Sequence, residues 1–159
     1  MKVTYIIANE GDLEKLTGFL SRPEIDLAFI KPLSSRAISI AERVYSKYKA
    51  GLWALAIDEG GNVAGCCALI PREKEVEIST YAVSPEHQGH GIGSALLDFL
   101  ILEGKERYNQ YKTIIMDSWE GNKAVERIMQ KTGFVLREAY EDPDKRPPGV
   151  KTVVYERGL

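Results

Sequence analysis

The feature that most constrains the fold is a run of alternating glycines between two apolar segments. Residues 88–93 are Gln-Gly-His-Gly-Ile-Gly, soon after the strand-like run 76–83 and directly before a segment with helical apolar spacing. Glycines let the backbone take a positive φ and approach a ligand closely. The first turn of the following helix has N–H groups without helical partners, so this loop predicts an anion site of phosphate type. The alternative is a glycine-rich turn that only joins the strand to the helix.

The spacing of these glycines excludes two common phosphate-binding motifs. A P-loop must end in Gly-Lys-Ser or Gly-Lys-Thr, and neither occurs in the sequence. The dinucleotide-binding pattern needs a glycine three residues after the second one, where this chain has Ser94 or Leu96, depending on the alignment. A nicotinamide-dependent oxidoreductase is therefore disfavoured.

The hydrophobic pattern of the whole chain predicts the element order β-α-α-β-β-β-α-β-α-β-β. Residues 58–62, Asp-Glu-Gly-Gly-Asn, are predicted to form a hairpin turn between two apolar runs. Asp12 is predicted to cap the first helix, and Ser34 or Ser35 the second. Gly133 is expected to end the last helix in a left-handed conformation.

Size and charge narrow the class of protein. A chain of 159 residues is the size of one domain, so we expect a single domain over residues 1–159. It has 21 Lys and Arg against 23 Asp and Glu, a net charge of −2, so we expect no nucleic-acid partner. The apolar runs are too short for a membrane span or a signal peptide. We therefore expect a cytoplasmic protein without a membrane partner.

The cysteines predict neither a disulfide nor a metal site. Cys66 and Cys67 are adjacent, and a relaxed disulfide needs Cα atoms more than about 4 Å apart. The two histidines, His87 and His90, are elsewhere in the sequence, and no Cys-x-x-Cys spacing occurs. We interpret both cysteines as small buried residues of a strand.

Two motifs in this sequence resemble those of the GNAT superfamily of N-acetyltransferases. Residues 88–93 match its Gln/Arg-x-x-Gly-x-Gly/Ala signature, and residues 81–85, Tyr-Ala-Val-Ser-Pro, are similar to the end of its fourth strand. Asn122 precedes Gly133 by 11 residues, as in the family's Asn and Gly-Phe segment. The resemblance covers about residues 63–134. It implies an α/β (mixed α+β) GNAT fold, with a central mixed, mostly antiparallel sheet flanked by helices.

The resemblance implies that the chain binds acetyl-coenzyme A as a co-substrate and needs no metal. In the family, the backbone amides of the loop bind the pyrophosphate, and the pantetheine arm lies between the fourth and fifth strands. Asn122 resembles an asparagine that contacts this arm, and asparagine is also a good helix cap. The residues expected to contact the cofactor are Tyr81, Ala82, Val83, Gln88, Gly89, His90, Gly91, Ile92, Gly93, Ser94 and Asn122.

The resemblance also implies acetyl transfer to an amine by direct attack in a ternary complex. A lysine-like amine, with a pKa of about 10.4, must first lose a proton. Glu77 stands where several family members carry a glutamate base. Strand alternation predicts that Glu77 shares a face with Ser79 and Tyr81. The alternative is a solvated glutamate beside Glu73 and Glu75.

One position departs from the family's pattern. The residue seven places after the helix asparagine is often a tyrosine that protonates the departing thiolate, and here it is Met129. We interpret Met129 as core packing. Water, Tyr81 or Tyr140 would then supply the proton. The alternative is a catalytically silent module that binds acyl-coenzyme A or regulates another protein.

The acceptor is expected to be a small-molecule or peptide amine. The segments that usually determine the acceptor in GNAT proteins correspond to residues 22–49 and 141–149 here. Their acidic residues hint at a cationic acceptor, although basic residues lie in the same segments. GNAT proteins often dimerise, so the resemblance also allows a homodimer.

Overall fold

The computed structural model describes residues 2–25 and 40–159. The strands are β1 (Val3–Ile7), β2 (Leu52–Asp58), β3 (Val63–Pro71), β4 (Val76–Val83), β5 (Thr113–Trp119), β6 (Val135–Glu141) and β7 (Lys151–Gly158). The α-helices that lie wholly within these two ranges are α1 (Leu13–Leu20), α2 (Ile40–Lys47), α3 (Ile92–Arg107) and α4 (Lys123–Lys131). Within the described residues, these strands and helices follow one another in the predicted order.

A single seven-stranded sheet joins these elements in the order β1-β2-β3-β4-β5-β7-β6. Every neighbouring pair is antiparallel except β4 and β5, which are parallel and connected through α3. Helices pack on both faces. The predicted mixed, mostly antiparallel sheet flanked by helices is therefore confirmed.

Two apolar clusters cover the two faces of the sheet. One lies beneath α3 and α4 and includes Leu97, Leu100 and Met129. The other lies beneath α1 and α2 and includes Leu16 and Val44. Side chains of a strand alternate between these clusters, so the position of a residue along its strand decides which face it reaches.

A bulge interrupts this alternation in β4. The pairing of β4 with β3 skips a residue between Ser79 and Ala82, which leaves Thr80 and Tyr81 opposite the single residue Cys67. Thr80 has a φ of 52°, a left-handed conformation that is rare for a β-branched residue. Residues of β4 before and after the bulge therefore follow opposite alternation.

The bulge corrects one prediction about Glu77. Tyr81 packs against the cluster beneath α3, as does Val83. Ser79 lies on the other face, where it accepts a hydrogen bond from Lys47 of α2, and Glu77 shares that face by alternation. The expectation that Glu77 and Tyr81 share a face is wrong, because the extra residue at the bulge reverses the side of Tyr81.

The parallel pair β4 and β5 separates soon after it forms. Only two residue pairs join the strands, Val76 with Ile114 and Glu77 with Ile115. Beyond Ile115, β5 continues along β7 as far as Trp119, while β4 remains paired with β3. The strands therefore leave a split in the sheet, with Glu77 at its closed end.

Helix ends partly follow the predicted caps. Gly133 has a φ of 82° just beyond α4, as predicted. Asp12 precedes α1, but its carboxylate accepts a hydrogen bond from the N–H of Asn9 instead of capping the helix. The predicted caps Ser34 and Ser35 lie outside the described residues. Within residues 2–25 and 40–159, no helix combines the length and apolar character needed to cross a membrane.

Candidate active site

A cavity of about 750 Å³ lies in the split between β4 and β5 and extends to α3 and α4. The strands contribute mostly apolar side chains to its wall, and the glycine loop closes one side. The wall residues from the strands are Ile78, Thr80, Tyr81, Ala82, Val83, Met116, Ser118 and Trp119. An elongated, largely apolar molecule that ends in an anion would match these walls.

The glycine loop leads directly into the N-terminus of α3. Gly89 and Gly91 have φ values of 78° and 76°, and Gly91 is the residue that precedes the helix. The first helical hydrogen bond there is donated by Ala95 to the Gly91 carbonyl, so earlier N–H groups of the turn have no helical partner. A Cβ atom at Gly93 would lie 3.3 Å from the Tyr81 hydroxyl, so a side chain there would have to displace the tyrosine slightly.

Charged side chains near this loop favour an anion. Arg127 and Lys131 of α4 line the cavity, together with the single carboxylate of Glu24. The N-terminus of α3 adds positive potential at the same place. The two cations and the free N–H groups fit a pyrophosphate, and the apolar strand walls fit a pantetheine arm.

Tyr81 is fixed between β4 and α3. Its hydroxyl donates a hydrogen bond to the Gly93 carbonyl, and burial raises the pKa of Tyr81 well above its ordinary value. A phenol that is both engaged and hard to ionise is a poor proton donor. Tyr81 therefore positions the glycine loop and does not suit the role of a general acid.

Asn122 caps α4, as predicted, and also lies in the cavity wall. Its Oδ1 accepts a hydrogen bond from the Val125 N–H at 3.4 Å and so caps α4. Its Nδ2 donates to the Ser118 hydroxyl at 3.1 Å, which links α4 to β5. Asn122 also lines the cavity, so a bound molecule would lie against it.

The structure brings the predicted cofactor residues together, with one exception. All of them line the cavity except His90, whose Nδ1 lies 2.9 Å from the Gln88 carbonyl oxygen on the exposed side of the loop. Glu77 is not in the cavity wall either. It lies on the face of the sheet that carries α2, and 26% of its side chain is exposed.

A second group of polar residues borders the split on this face, which we call the α2 face. Glu77 accepts a hydrogen bond from Arg72 at 3.3 Å. Ser79 accepts one from the Lys47 ammonium at 3.2 Å. Burial lowers the pKa of Lys47, and the neighbouring charge of Arg43 lowers it further.

β5 contributes an acidic residue to the α2 face that the sequence analysis missed. Asp117 lies two residues beyond Ile115, so its side chain points to the same face as Glu77. One oxygen of Asp117 lies 3.6 Å from the Lys145 ammonium and 3.9 Å from a guanidinium nitrogen of Arg146. Through these two contacts, the loop between β6 and β7 packs against the β5 side of the split on the α2 face.

Neither Met129 nor Tyr140 lies in the cavity wall. Met129 is fully buried in the cluster beneath α3, as predicted. Tyr140 lies on the edge strand β6 with 43% of its surface exposed, and it is absent from the cavity wall. Because Tyr81 is engaged as well, we expect water to protonate a departing thiolate.

His87 is a further wall residue that sequence reasoning missed. Its Nδ1 lies 2.5 Å from the Ser84 hydroxyl, and its Nε2 lies 3.5 Å from an Asp58 oxygen. Ser84 is fully buried, so this arrangement is closed to an incoming substrate. It instead ties the segment before the glycine loop to the turn between β2 and β3.

The cysteines are free and buried in β3, as predicted. Burial raises the pKa of Cys66 to about 12 and that of Cys67 well above its ordinary value. Both thiols therefore stay protonated near neutral pH and are poor nucleophiles. In the described ranges, no three His, Cys, Asp or Glu side chains are placed to hold a metal ion.

Several solved structures are similar to this one over nearly its whole length. A GNAT family acetyltransferase from Streptococcus pneumoniae has a TM-score of 0.76 at 16% identity, over 99% of this chain and 100% of that one. A ribosomal-protein-alanine N-acetyltransferase from Brucella melitensis has a TM-score of 0.74 at 22% identity, over 98% and 99%. A GNAT family acetyltransferase from Elizabethkingia anophelis with acetyl-CoA bound has a TM-score of 0.66 at 19% identity, over 99% and 98%. At such identities the likeness shows the fold.

The family itself follows from the sequence. No curated protein matches this sequence. However, the profile of the acetyltransferase (GNAT) family matches residues 24–134, which include the glycine loop, the split strands and Asn122. This match covers more than half of the chain and agrees with the fold. The chain therefore belongs to the acetyltransferase (GNAT) family.

Proposed function

We propose that this protein transfers the acetyl group of acetyl-CoA to an amine acceptor, with both substrates bound at once. The observation that carries the proposal is the cavity between β4 and β5, which leads to the free N–H groups at the start of α3. The relative from Elizabethkingia anophelis that has acetyl-CoA bound supports the same cofactor here.

Each wall of the cavity has a binding role in this proposal. The N–H groups of residues 89–94 would hold the pyrophosphate, with Arg127 and Lys131 as counter-charges. Residues 81–83 would pair with the pantetheine arm through their backbone, because β4 has no strand partner on that side beyond Glu77. Asn122 would contact the arm from α4.

Acetyl-CoA supplies a thioester carbonyl, and the protein supplies orientation and a base. The acceptor nitrogen attacks the carbonyl carbon, so a C–N bond forms and the C–S bond breaks. The Glu77 carboxylate, at the closed end of the split, would take the proton that the amine loses. Water would return a proton to the thiolate, whose ordinary pKa of about 8.5 makes it a tolerable leaving group.

The cofactor site is tested by Gly91→Val. A β-branched residue at a φ of 76° would distort the loop and obstruct the approach of a phosphate. We expect acetyl-CoA affinity, measured by isothermal titration calorimetry, to fall at least tenfold, or about 1.4 kcal/mol. Gly61→Val is the matched control, because Gly61 has a φ of 81°, open space around it and no place in this cavity.

The two variants separate strain from binding. Both should lose similar folding stability, and only Gly91→Val should lose affinity. Unchanged affinity in folded Gly91→Val, or an equal loss in both variants, would refute the loop assignment. Transfer itself is read by thiol release over a panel of amines. Cys66 and Cys67 are buried with raised pKa values, so they should add little background to a thiol reagent.

A second candidate is a module that binds acyl-coenzyme A without catalysis. The observation that favours it is Met129, which is fully buried and has no proton to donate at the position where family members often have tyrosine. Tight acetyl-CoA binding without thiol release for any amine class would support this candidate over the transferase. Thiol release that depends on an amine would exclude it.

A further inference from the structure

Arg146 carries a buried N–H donor that no acceptor in the described part of the chain satisfies. Its side chain is 9% exposed, and its Nε has no partner in the described part of the chain. Asp117 pairs with it at 3.9 Å, which is too long for a hydrogen bond. A guanidinium stays charged, and a buried N–H donor without an acceptor is energetically unfavourable. The arrangement suits a guanidinium that receives an anion.

Arg146 borders the split on the α2 face. Asp117, its ion-pair partner, lies on β5 two residues beyond Ile115, the last β5 residue that pairs with β4. Glu77, the partner of Ile115, borders the same opening from β4. The backbone N–H of Arg146 donates to the Asp142 carbonyl at 2.8 Å, and its guanidinium contacts Asp117 beside the split.

The cationic side chains around Arg146 outnumber the carboxylates that pair with them. Asp117 is one carboxylate shared between Lys145 and Arg146. The Lys47 ammonium donates to the Ser79 hydroxyl, and the two carboxylates that act on its charge are already paired. Glu77 pairs with Arg72, and Asp117 is the one shared by Lys145 and Arg146. A polycation would meet repulsion on this face, whereas a molecule with an anionic group would complete the pairing.

We propose that the amine acceptor carries a carboxylate that binds Arg146, so that it is an amino acid or a similar small zwitterion. This inference rests on the proposed function, because Glu77 and the split fix where the amine must react. The carboxylate would accept hydrogen bonds from Arg146, while the amine faces Glu77. The acidic residues of 141–149 therefore do not indicate a cationic acceptor. One of them, Asp142, already accepts a hydrogen bond from Thr152.

The substrate side of the test needs no variant. Several amino acids are each compared with their own amide and with the amine that lacks the carboxyl group, and thiol release is measured with acetyl-CoA. We expect kcat/KM for the preferred amino acid to exceed that for its amide by roughly 100-fold, the effect of losing a charge-assisted pair at a buried donor. Equal rates for acid and amide, or a preference for polyamines, would overturn the proposal.

The protein side uses Arg146→Gln, with Arg137→Gln as the control. Arg137 is already hydrogen-bonded to Glu75 and paired with Glu156, so it has no donor group that needs a ligand. We expect Arg146→Gln to lose most of the preference for the acid over the amide, with the KM for acetyl-CoA unchanged. Arg137→Gln should keep the preference. Calorimetric titration of the preferred amino acid into protein saturated with coenzyme A gives a second readout and should show roughly 100-fold weaker binding only for Arg146→Gln.

The outcomes separate this inference from the proposed function. If amines release thiol but the acid and its amide react alike, the function stands and the inference is wrong. If the acid is preferred and Arg146→Gln keeps that preference in a folded protein, another residue binds the carboxylate and the inference is wrong. If no acceptor of any class releases thiol, both proposals are wrong. Because the substrate comparison uses the unaltered protein, a variant that fails to fold does not prevent the test.

Discussion

The replacement Glu77→Gln tests the proposed base while keeping the shape of the side chain. Glu77 pairs with Ile115 at the closed end of the split, which is the point where β4 and β5 first diverge. Its carboxylate accepts a hydrogen bond from Arg72, and 26% of its side chain is exposed. Glutamine preserves the hydrogen-bonding oxygen and removes the group that accepts a proton.

The expected loss follows from the chemistry of the amine. A positioned general base contributes about 10²–10⁴ in rate, so kcat/KM for thiol release at neutral pH should fall by that factor. An amine with a pKa of about 10.4 becomes roughly 100-fold more neutral for a rise of two pH units. The deficit of Glu77→Gln should therefore shrink by up to that factor as the pH increases from about 7 to 9.

Two further variants make the assay decisive. Glu75→Gln is the matched control, because Glu75 is a neighbouring carboxylate that pairs with Arg137 and lies outside the cavity wall. Asp117→Asn tests the carboxylate on the opposite strand of the split. If Glu77→Gln matches the parent over the whole pH range, or loses activity by a factor that does not change with pH, Glu77 is not the base. A pH-dependent loss in Asp117→Asn alone would assign that role to β5.

Two other predictions concern buried residues. Met129→Phe should lower the free energy of unfolding by about 1–3 kcal/mol through overpacking, while kcat for thiol release stays within a small factor, because no proton donor is lost. A large loss of kcat with folding intact would show that the thioether itself matters. Burial raises the pKa of Cys66 from 9.0 to about 12. The folded state therefore keeps a proton that the unfolded state loses, and stability should fall between about pH 9 and 12 by roughly 1 kcal/mol per unit. Urea unfolding of Cys66→Ala should show a smaller alkaline loss, and an identical loss would contradict this explanation.

Features that depend on neighbouring residues could be predicted from the sequence. The glycine loop was recognisable because positive φ, helix initiation and free N–H groups all depend on a few adjacent residues. Asn122 caps its helix and Gly133 ends it for the same local reason. The hairpin between β2 and β3 also forms as its turn residues predict. The part of the candidate site that we propose to bind acetyl-CoA could therefore be predicted mostly from short motifs.

The residues of the α2 face could not be predicted in this way. Asp117 and Arg146 are far apart in the sequence and meet because β7 returns beside β5 and brings the preceding loop to the split. No local pattern specifies that pairing. The predicted face of Tyr81 was wrong for a different reason. The bulge occurs at Thr80, and the strand has no glycine there that would have indicated it.

The bulge at Thr80 explains how one strand can serve both halves of the proposed reaction. Without it, regular alternation would place Glu77 and Tyr81 on one face, and the base would lie among the groups that support the glycine loop. With it, Tyr81 reaches the Gly93 carbonyl beneath α3, while Glu77 and Ser79 remain on the α2 face with Lys47. A β-branched residue in a left-handed conformation is strained by about 1–2 kcal/mol, and the surrounding sheet must compensate for it. In the proposed function, this strain lies at the point where the strand would change from contacting the acceptor to contacting acetyl-CoA, which is where a shift of side-chain direction would serve the transfer.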